Sequence, residues 1–431
     1  MLPGASIKND RNHGASKGSL GASMGSKHLK AVAVRGSREV PLAHRERFVE
    51  VCGRWEDAIL APRGPGEGMP ALGALVKDGG TMRIYNLIGA QHILAAKNWT
   101  DPVWGQKHGE RMATEAKQWV ITPRESYNCP ISCAYDCSVT TGPFAGLTAS
   151  LCGGGENIEG ASAMIGVEDP GTCVALTEHC DAIGIDSSVV GGLLGMAYEL
   201  FERGVLTVDD TGGLELRWGN HEEAMTLLDQ MCSGEGFGGR VLARGRVEAA
   251  RLIGRGAEGC VLHVRGGGIN MHDWRPAWSV LLGQIVAGAG VCWQGPGVDT
   301  FTTEPDLGYT EFAEGTVPEG KAEAVARTQA KKLWEDCLGV CWFACWGVKG
   351  VLEYAPRAIE LSTGWTGFDR EEALRVGERI ANLQRVIAIR RGFRRENEFD
   401  VSPRLLEAPQ GGVAAGKSIA PHLEQMVDEY Y

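Results

Sequence analysis

No stretch of the 431 residues is apolar for long enough to span a membrane. The opening MLPGASIKNDRNHGASKGSL has no basic leader followed by an apolar run, so a secreted protein is not expected. Basic charge is also short. Lys+Arg number 43 against Asp+Glu 54, a formal net charge of -11, which argues against a nucleic-acid backbone as the main partner. Low-complexity tracts are absent too. Cysteine, in contrast, is plentiful. Thirteen thiols, an odd number with no secretory signal, point to reduced cysteines rather than a disulfide framework. A cytoplasmic metalloprotein is the expectation. With 43% hydrophobic residues, the chain can build two or three packed cores.

Along the chain, HLKAVAVRGS alternates at Leu29, Ala31 and Ala33 and predicts a strand at the edge of a β-rich unit. Pro41 to Ala61 has helical spacing, and PRGPGEGMP then breaks it. The stretch TGPFAGLTASLCGGGENIEG is glycine-rich, a composition suited to tight turns beside something that must approach closely. Two helices are predicted next, the first ending at Gly184, the second entered through Ser187 and ending at Gly204. Further helices are predicted over KAEAVARTQAKKLWEDC, over LEQMVDEYY and over DREEALRVGERIANLQRVIAIRRG, which has Asp369 and Glu372 in capping-box spacing and Gly392 as its stop. The expected fold is α+β, with a β-rich N-terminal part over residues 1–53 followed by two mostly α-helical domains, 54–260 and 261–431.

Two patterns carry chemistry. In YNCPISCAYDCSV, Cys129, Cys133 and Cys137 stand four residues apart. Zinc sites favour Cys-x2-Cys pairs, whereas iron–sulfur clusters accept thiolates from several loops with a remote fourth cysteine. The same spacing also fits one buried helix face, although Pro130 is tolerated only in a first helical turn or in a turn outside a helix. The second pattern occurs twice at predicted helix ends, as Asp181-Ala-Ile-Gly184-Ile-Asp186 and Asp336-Cys-Leu-Gly339-Val-Cys341. Each glycine can take positive φ and stop its helix. The aspartate one turn earlier offers a carboxylate able to accept two N–H groups from a guanidine-like ring edge. Either copy alone reads equally as a glycine stop beside a solvated aspartate.

In order and combination, GSLGASMGSKHLKAVAVRG, NCPISC and the two D-x-x-G repeats resemble the motifs of the tungsten-dependent aldehyde:ferredoxin oxidoreductases. The resemblance implies a tungsten (or molybdenum) bis-pterin, an adjacent [4Fe-4S] cluster and a ferredoxin-like electron carrier. It implies cofactor-binding roles for Lys17, Gly21, Asp181, Gly184, Asp186, Asp336 and Gly339, and cluster ligation by Cys129, Cys133 and the remote Cys341. Ser126 stands where the family has a further cysteine, so Cys137 or Ser126 would complete the set. Trp342, Phe343 and Trp346 would shield the cluster. Glu156 in GGGENIEG aligns with the family's catalytic glutamate, a general base or proton-transfer group, with Glu159 as the runner-up. Trp293 stands where aldehyde-oxidising members carry a histidine. That departure points to the benzoyl-coenzyme A reductase active-site subunit branch, in which a metal-ligating cysteine corresponds to Cys152. The implied activity is oxidation of an aldehyde or oxo group. The alternatives are reduction of an aromatic or unsaturated acyl-CoA, and a noncatalytic iron–sulfur electron-transfer subunit. Residues 1–53 would be a remnant of the family's pterin-binding domain, so a second polypeptide and a homo- or hetero-oligomer are also expected.

Overall fold

The structure is a computed structural model that describes residues 2–9, 13–62, 71–77, 79–151, 154–288, 294–300 and 302–431. It opens with an antiparallel hairpin of β1 (Ile7–Asn9) and β2 (His13–Ala15), followed by α1 (Leu20–Ser26). The Gly21 N–H donates to the Ala5 carbonyl at 3.0 Å and ties α1 to the hairpin. The strand expected over Leu29, Ala31 and Ala33 does not form. Residues 29–37 have no regular structure, and Val32 and Val34 are 71% and 88% exposed. Alternation alone cannot make a strand where no neighbouring strand takes up its N–H and C=O groups.

Helix α2 (Arg45–Leu60) follows, and the boundary expected after residue 53 falls inside it. Helices α3 (Leu72–Val76), α4 (Tyr85–Ala90) and α5 (Pro102–Glu115) lead into a three-stranded antiparallel sheet of β3 (Val120–Arg124), β4 (Ala134–Ser138) and β5 (Thr148–Leu151), in the order β3-β4-β5. Cys137 lies within this sheet, opposite Ile121 and Ala149. The four-residue cysteine spacing therefore marks a turn entering a strand, not one face of a helix.

Three helices then stack closely: α6 (Gly154–Ala161), α7 (Pro170–Ile183) and α8 (Ser187–Glu202). Their boundaries are chemical. Asp169 accepts the Thr172 N–H at 2.8 Å at the start of α7, and Asp186 accepts the Val189 N–H at 2.8 Å at the start of α8. Gly184 ends α7 at φ 77° and Gly204 follows α8 at φ 68°, as the glycine stops predict.

The rest is helical: α9 (Val208–Thr211), α10 (His221–Ser233), α11 (Gly236–Arg240), α12 (Arg246–Ile253), α13 (Trp278–Ile285), α14 (Lys321–Asp336), α15 (Val351–Thr363), α16 (Arg370–Arg390), α17 (Pro403–Leu406) and α18 (Leu423–Tyr430). Helix α14 is central, packed against α13, α16 and α18, while α15 returns to cover α2. The Asp369 side chain caps α16 by accepting the Glu372 N–H at 2.9 Å, and Gly392 ends it at φ 94°. Buried apolar side chains form one cluster from Trp55 to Val427 that runs across residue 260. The architecture is α+β, and among the described residues no helix is long and apolar enough to cross a membrane.

Candidate active site

The N-terminal turn of α6 carries Glu156, and one helical turn later the same face carries Glu159. Helix α6 is pressed onto α8 because Gly191 has no side chain, since a Cβ there would lie 2.0 Å from the Gly160 carbonyl oxygen. The close crossing sets Glu156 beside Ser188 and Lys17. The Lys17 ammonium lies 3.3 Å from Glu156 Oε2 and 3.5 Å from the Ser188 hydroxyl. Glu156 Oε1 faces His272 Nε2 at 3.7 Å.

Behind that histidine stands Glu159, with Oε2 2.6 Å from His272 Nδ1. Glu159 is fully buried, and its other oxygen accepts the Ala95 N–H. Burial pushes the Glu159 carboxyl above its ordinary value, against the pull of His272. For His272, burial acts to lower the imidazolium pKa, but Glu159 and Glu156 together outweigh it and the net direction is upward. A side chain outside the pair therefore meets a preassembled acid–imidazole–acid line.

The loop bearing His272 is densely hydrogen-bonded. Asn270 Oδ1 accepts from Trp274 Nε1 at 2.6 Å and from Gln284 Nε2 at 2.8 Å. The Arg275 guanidinium grips the Asp273 carboxylate at 2.6 and 2.9 Å, with both residues buried. Trp274 meets the imidazole edge-on, ring centres 5.1 Å apart.

A cavity of about 230 Å³ opens in front of Glu156 and His272. Its other walls are Leu72, Ile84, Ile88, Trp342, Phe343 and Trp346, with Thr81 and Gly155 at the α6 end. Trp342 and Trp346 are stacked, centres 4.6 Å apart and nearly parallel. The aromatic residues expected around a cluster thus form the lid of the glutamate cavity. On the other side of Lys17 lies a second cavity of about 260 Å³, lined by Gly18, Ser19, Ser188, Val189, Gly245, Arg246 and Gly266 to Ile269.

The second cavity suits an anionic group. Arg246 is 7% exposed, and among the described residues its guanidinium donates to carbonyls, to Leu262 at 2.8 Å and to Val189 at 3.1 Å. Burial draws its pKa down to about 10, with Asp186 acting in the opposite sense. A buried cation, the Lys17 ammonium and the N-terminus of α8 converge there on a glycine-lined wall, the setting in which phosphate is favoured. Asp181 Oδ2 is buried without a hydrogen-bond partner, while Oδ1 takes Lys8 at 2.5 Å. The cavity lining fits the phosphate of a pterin-type group, and the orphan acceptor of Asp181, outside that cavity, is of the kind a donor-rich ring edge satisfies.

The matching of the sequence to known families decides its kinship. Residues 68–431 match the family model for the aldehyde ferredoxin oxidoreductase, domains 2 and 3. The chain belongs to the aldehyde ferredoxin oxidoreductase family. Among relatives, the tungsten-containing aldehyde ferredoxin oxidoreductase of Pyrococcus furiosus is 28% identical over 99% of this chain and 67% of its own length. The protein of the same description from Thermococcus kodakarensis is 27% identical, with the same coverage of each chain. The aliphatic sulfonate oxidoreductase, WOR-like subunit, of Pyrococcus furiosus is 27% identical over 99% of this chain and 64% of its own. In three dimensions the fold is similar to the active site complex BamBC of benzoyl coenzyme A reductase in complex with 1,5 dienoyl-CoA. The TM-score is 0.73 at 20% identity, over 99% of this chain and 68% of that one.

The remaining family motifs are placed less uniformly. Gly339 holds φ 71° at the end of α14, close to the 77° of Gly184. Its Asp336, in contrast, has a side chain 50% exposed and pairs with Lys332 one turn earlier. Neither Asp181 nor Asp336 lines either cavity described above. Cys129 and Cys341 are neighbours. Residue 341 is exposed as a whole, yet its thiol is raised, first by burial of the sulfur and further by Cys129. The Cys129 thiol lies 3.6 Å from the Ile131 carbonyl, and Ser126 accepts the Cys129 N–H through its backbone oxygen at 3.1 Å.

Cys137 is carried away from this pair. It is 1% exposed within β4, its thiol pushed up to about 11 by burial, and an extended chain puts it about 13 Å beyond Cys133. The pairing of Tyr135 to Ser138 on both edges of β4 holds it in the sheet. Among the described residues no three Cys, His, Asp or Glu side chains converge to hold a metal ion. Cys152 and Trp293 lie outside the described residues. Glu159, weighed as an alternative to Glu156 at the cavity, is behind it in the core. His272 and Arg246 were missed from the sequence. The signal for His272 was its position just after the glycine triplet of RGGGINMHDW.

Proposed function

We propose that this chain carries the catalytic cavity of a tungsten-dependent oxidoreductase that oxidises a small aldehyde or related oxo compound, with Glu156 as the proton-transfer group. The observation that carries the reading is the Glu156 carboxylate, clamped between Lys17 and His272 at the mouth of an aromatic-walled cavity. In the overall reaction an aldehyde and water give a carboxylic acid, two protons and two electrons. Glu156 Oε1 takes a proton from the water as its oxygen forms the new C–O bond to the carbonyl carbon. Trp342, Phe343 and Trp346 exclude bulk water from that step. A cavity of about 230 Å³ favours a small substrate, since drug-sized ligands occupy roughly 300–1,000 Å³.

Lys17, Ser188, Arg246 and Asp181 are the residues that would hold a pterin cofactor and its phosphate. When bound, the tungsten bis-pterin would supply the two-electron redox chemistry that no side chain here provides. A ferredoxin-like carrier would then take the electrons, in keeping with the family's name. Among the described residues the thiols of Cys129, Cys133 and Cys341 do not converge as they stand, so an iron–sulfur cluster would have to draw them together.

The test is anaerobic purification of the protein with whatever accompanies it, followed by tungsten, iron and sulfide analysis. Turnover is then measured with aldehydes and, separately, with acyl-thioesters. The reading expects tungsten in the wild type and in Glu156→Gln, with kcat in the variant reduced by roughly 10²–10⁴. Tungsten-free wild type, or a Glu156→Gln protein as active as wild type on every substrate, overturns it. Turnover of acyl-thioesters alone would move the substrate class to acyl reduction.

A further inference from the structure

A glutamate that accepts a proton at each turnover must also lose it. Among the described residues lining the cavity, the means are few. Leu72, Ile84, Ile88, Trp342, Phe343 and Trp346 have no basic atom, Thr81 is a hydroxyl, and the Lys17 ammonium beside Glu156 already carries its proton. His272 alone offers a basic nitrogen, and its far side rests on a second, fully buried carboxylate.

We propose that His272 relays protons between Glu156 at the cavity and Glu159 in the core, so that the proton Glu156 takes up is held on the His272–Glu159 pair while the cavity is closed to water and returns along the same line to leave when product departs. The proton on Glu156 Oε1 passes to His272 Nε2, and the Nδ1 proton passes to Glu159 Oε2. One O–H and one N–H bond break as one N–H and one O–H bond form, and the net charge of the three groups does not change. The imidazolium flanked by two carboxylates is the same proton count in another arrangement. The inference rests on the proposed oxidation for its purpose but not for its geometry.

The geometry is specific. Nδ1 is 2.6 Å from Glu159 Oε2 without being aligned as a hydrogen bond, and Nε2 is 3.7 Å from Glu156. Contacts of this kind commonly tighten only when substrate binds. Trp274 meets the ring edge-on, and the Asn270 and Asp273 hydrogen bonds tie down its loop. Glu159 is pinned by the Ala95 N–H. The charged and titratable groups that face the relay are Glu156 and Lys17 on the cavity side of His272, and the buried Tyr85 beside Glu159. Glu159 is therefore the far proton acceptor of the line, and His272 the group that carries the proton to it.

Two independent readouts test this. In the isolated chain labelled with ¹⁵N-histidine, the imidazole signal absent from His272→Gln identifies His272. Its proton affinity should fall at least about tenfold in Glu159→Gln, the loss expected when an adjacent opposite charge is removed. In tungsten-loaded enzyme, His272→Ala should keep its metal and KM, lose about 10² in kcat, and regain turnover with added imidazole. An unchanged His272 titration in Glu159→Gln overturns the pairing, and full kcat in His272→Ala overturns the relay. Should Glu159→Gln fail to fold, the imidazole rescue of His272→Ala decides. A wild type without tungsten or turnover defeats the proposed oxidation instead, and the titration still decides the pair.

Discussion

The two D-x-x-G copies share a backbone and differ in everything their side chains meet. Gly184 and Gly339 hold nearly the same positive φ, 77° and 71°, and neither has an atom within 4 Å of where a Cβ would stand. Around the first copy, Asp181 is buried with one oxygen unsatisfied, and Asp186 is locked between the Val189 N–H and the Ser16 hydroxyl. Around the second, Asp336 is half exposed beside Lys332, and Cys341, an exposed residue with a buried sulfur, lies near Cys129. The local pattern sets how a helix stops. Its surroundings decide whether the stop becomes a binding element.

The sharpest way to break the comparison is at the last residue of each motif. Asp186→Ala removes the cap of α8 and strands the Ser16 hydroxyl, at a cost of about 2 kcal/mol. Cys341→Ala, with no such cap, should leave the unfolding midpoint in denaturant nearly unchanged. Next come the glycines. Gly184→Ala and Gly339→Ala should each destabilise by about 1 kcal/mol, from left-handed strain alone, and the two values should agree within error. A large inequality in chemical denaturation would mean that one stop is under additional restraint.

A smaller effect separates the aspartates by pH. Burial, opposed by Lys8, raises the Asp181 carboxyl above its ordinary value. A raised acid favours the folded state while protonated, and that contribution is lost as pH rises through its folded pKa. Asp181→Asn should therefore be as stable as wild type, or more stable by under about 1 kcal/mol, at neutral pH. The difference should vanish below the ordinary aspartate pKa of about 3.9, as read by thermal unfolding across pH. The smallest effect is at Asp336→Asn, where a half-exposed pair with Lys332 should be worth under about 0.5 kcal/mol and should fade with added salt.

Much of the helical skeleton was legible because its signals are short-ranged. The ends of α7, α8 and α16 depend on Asp, Ser and Gly residues within a turn of the boundary, and those helices stop where such residues stand. Glu156 was legible through its motif, and it does reach the cavity. The strand at Leu29 was misread because alternation records which faces differ, not whether a neighbouring strand exists. Cys137 was misplaced for a related reason. A four-residue interval fits a helix face, a loop or a strand equally well, and only the pairing of β4 with β3 and β5 decides among them.

What the sequence determined by itself is the set of helix starts and stops, the two left-handed glycines and the family. Each is encoded in contiguous residues, and hydrogen bonds within one turn suffice to express it. The partners of Glu156 are another matter. Lys17 comes from the segment after the N-terminal hairpin, His272 from a loop before α13, and Glu159 is completed by a backbone N–H from the loop between α4 and α5. Only the packed structure decided them, because joining side chains so distant in the chain requires long loops to close, and the apolar core contacts that offset that loss of chain entropy carry no local signature.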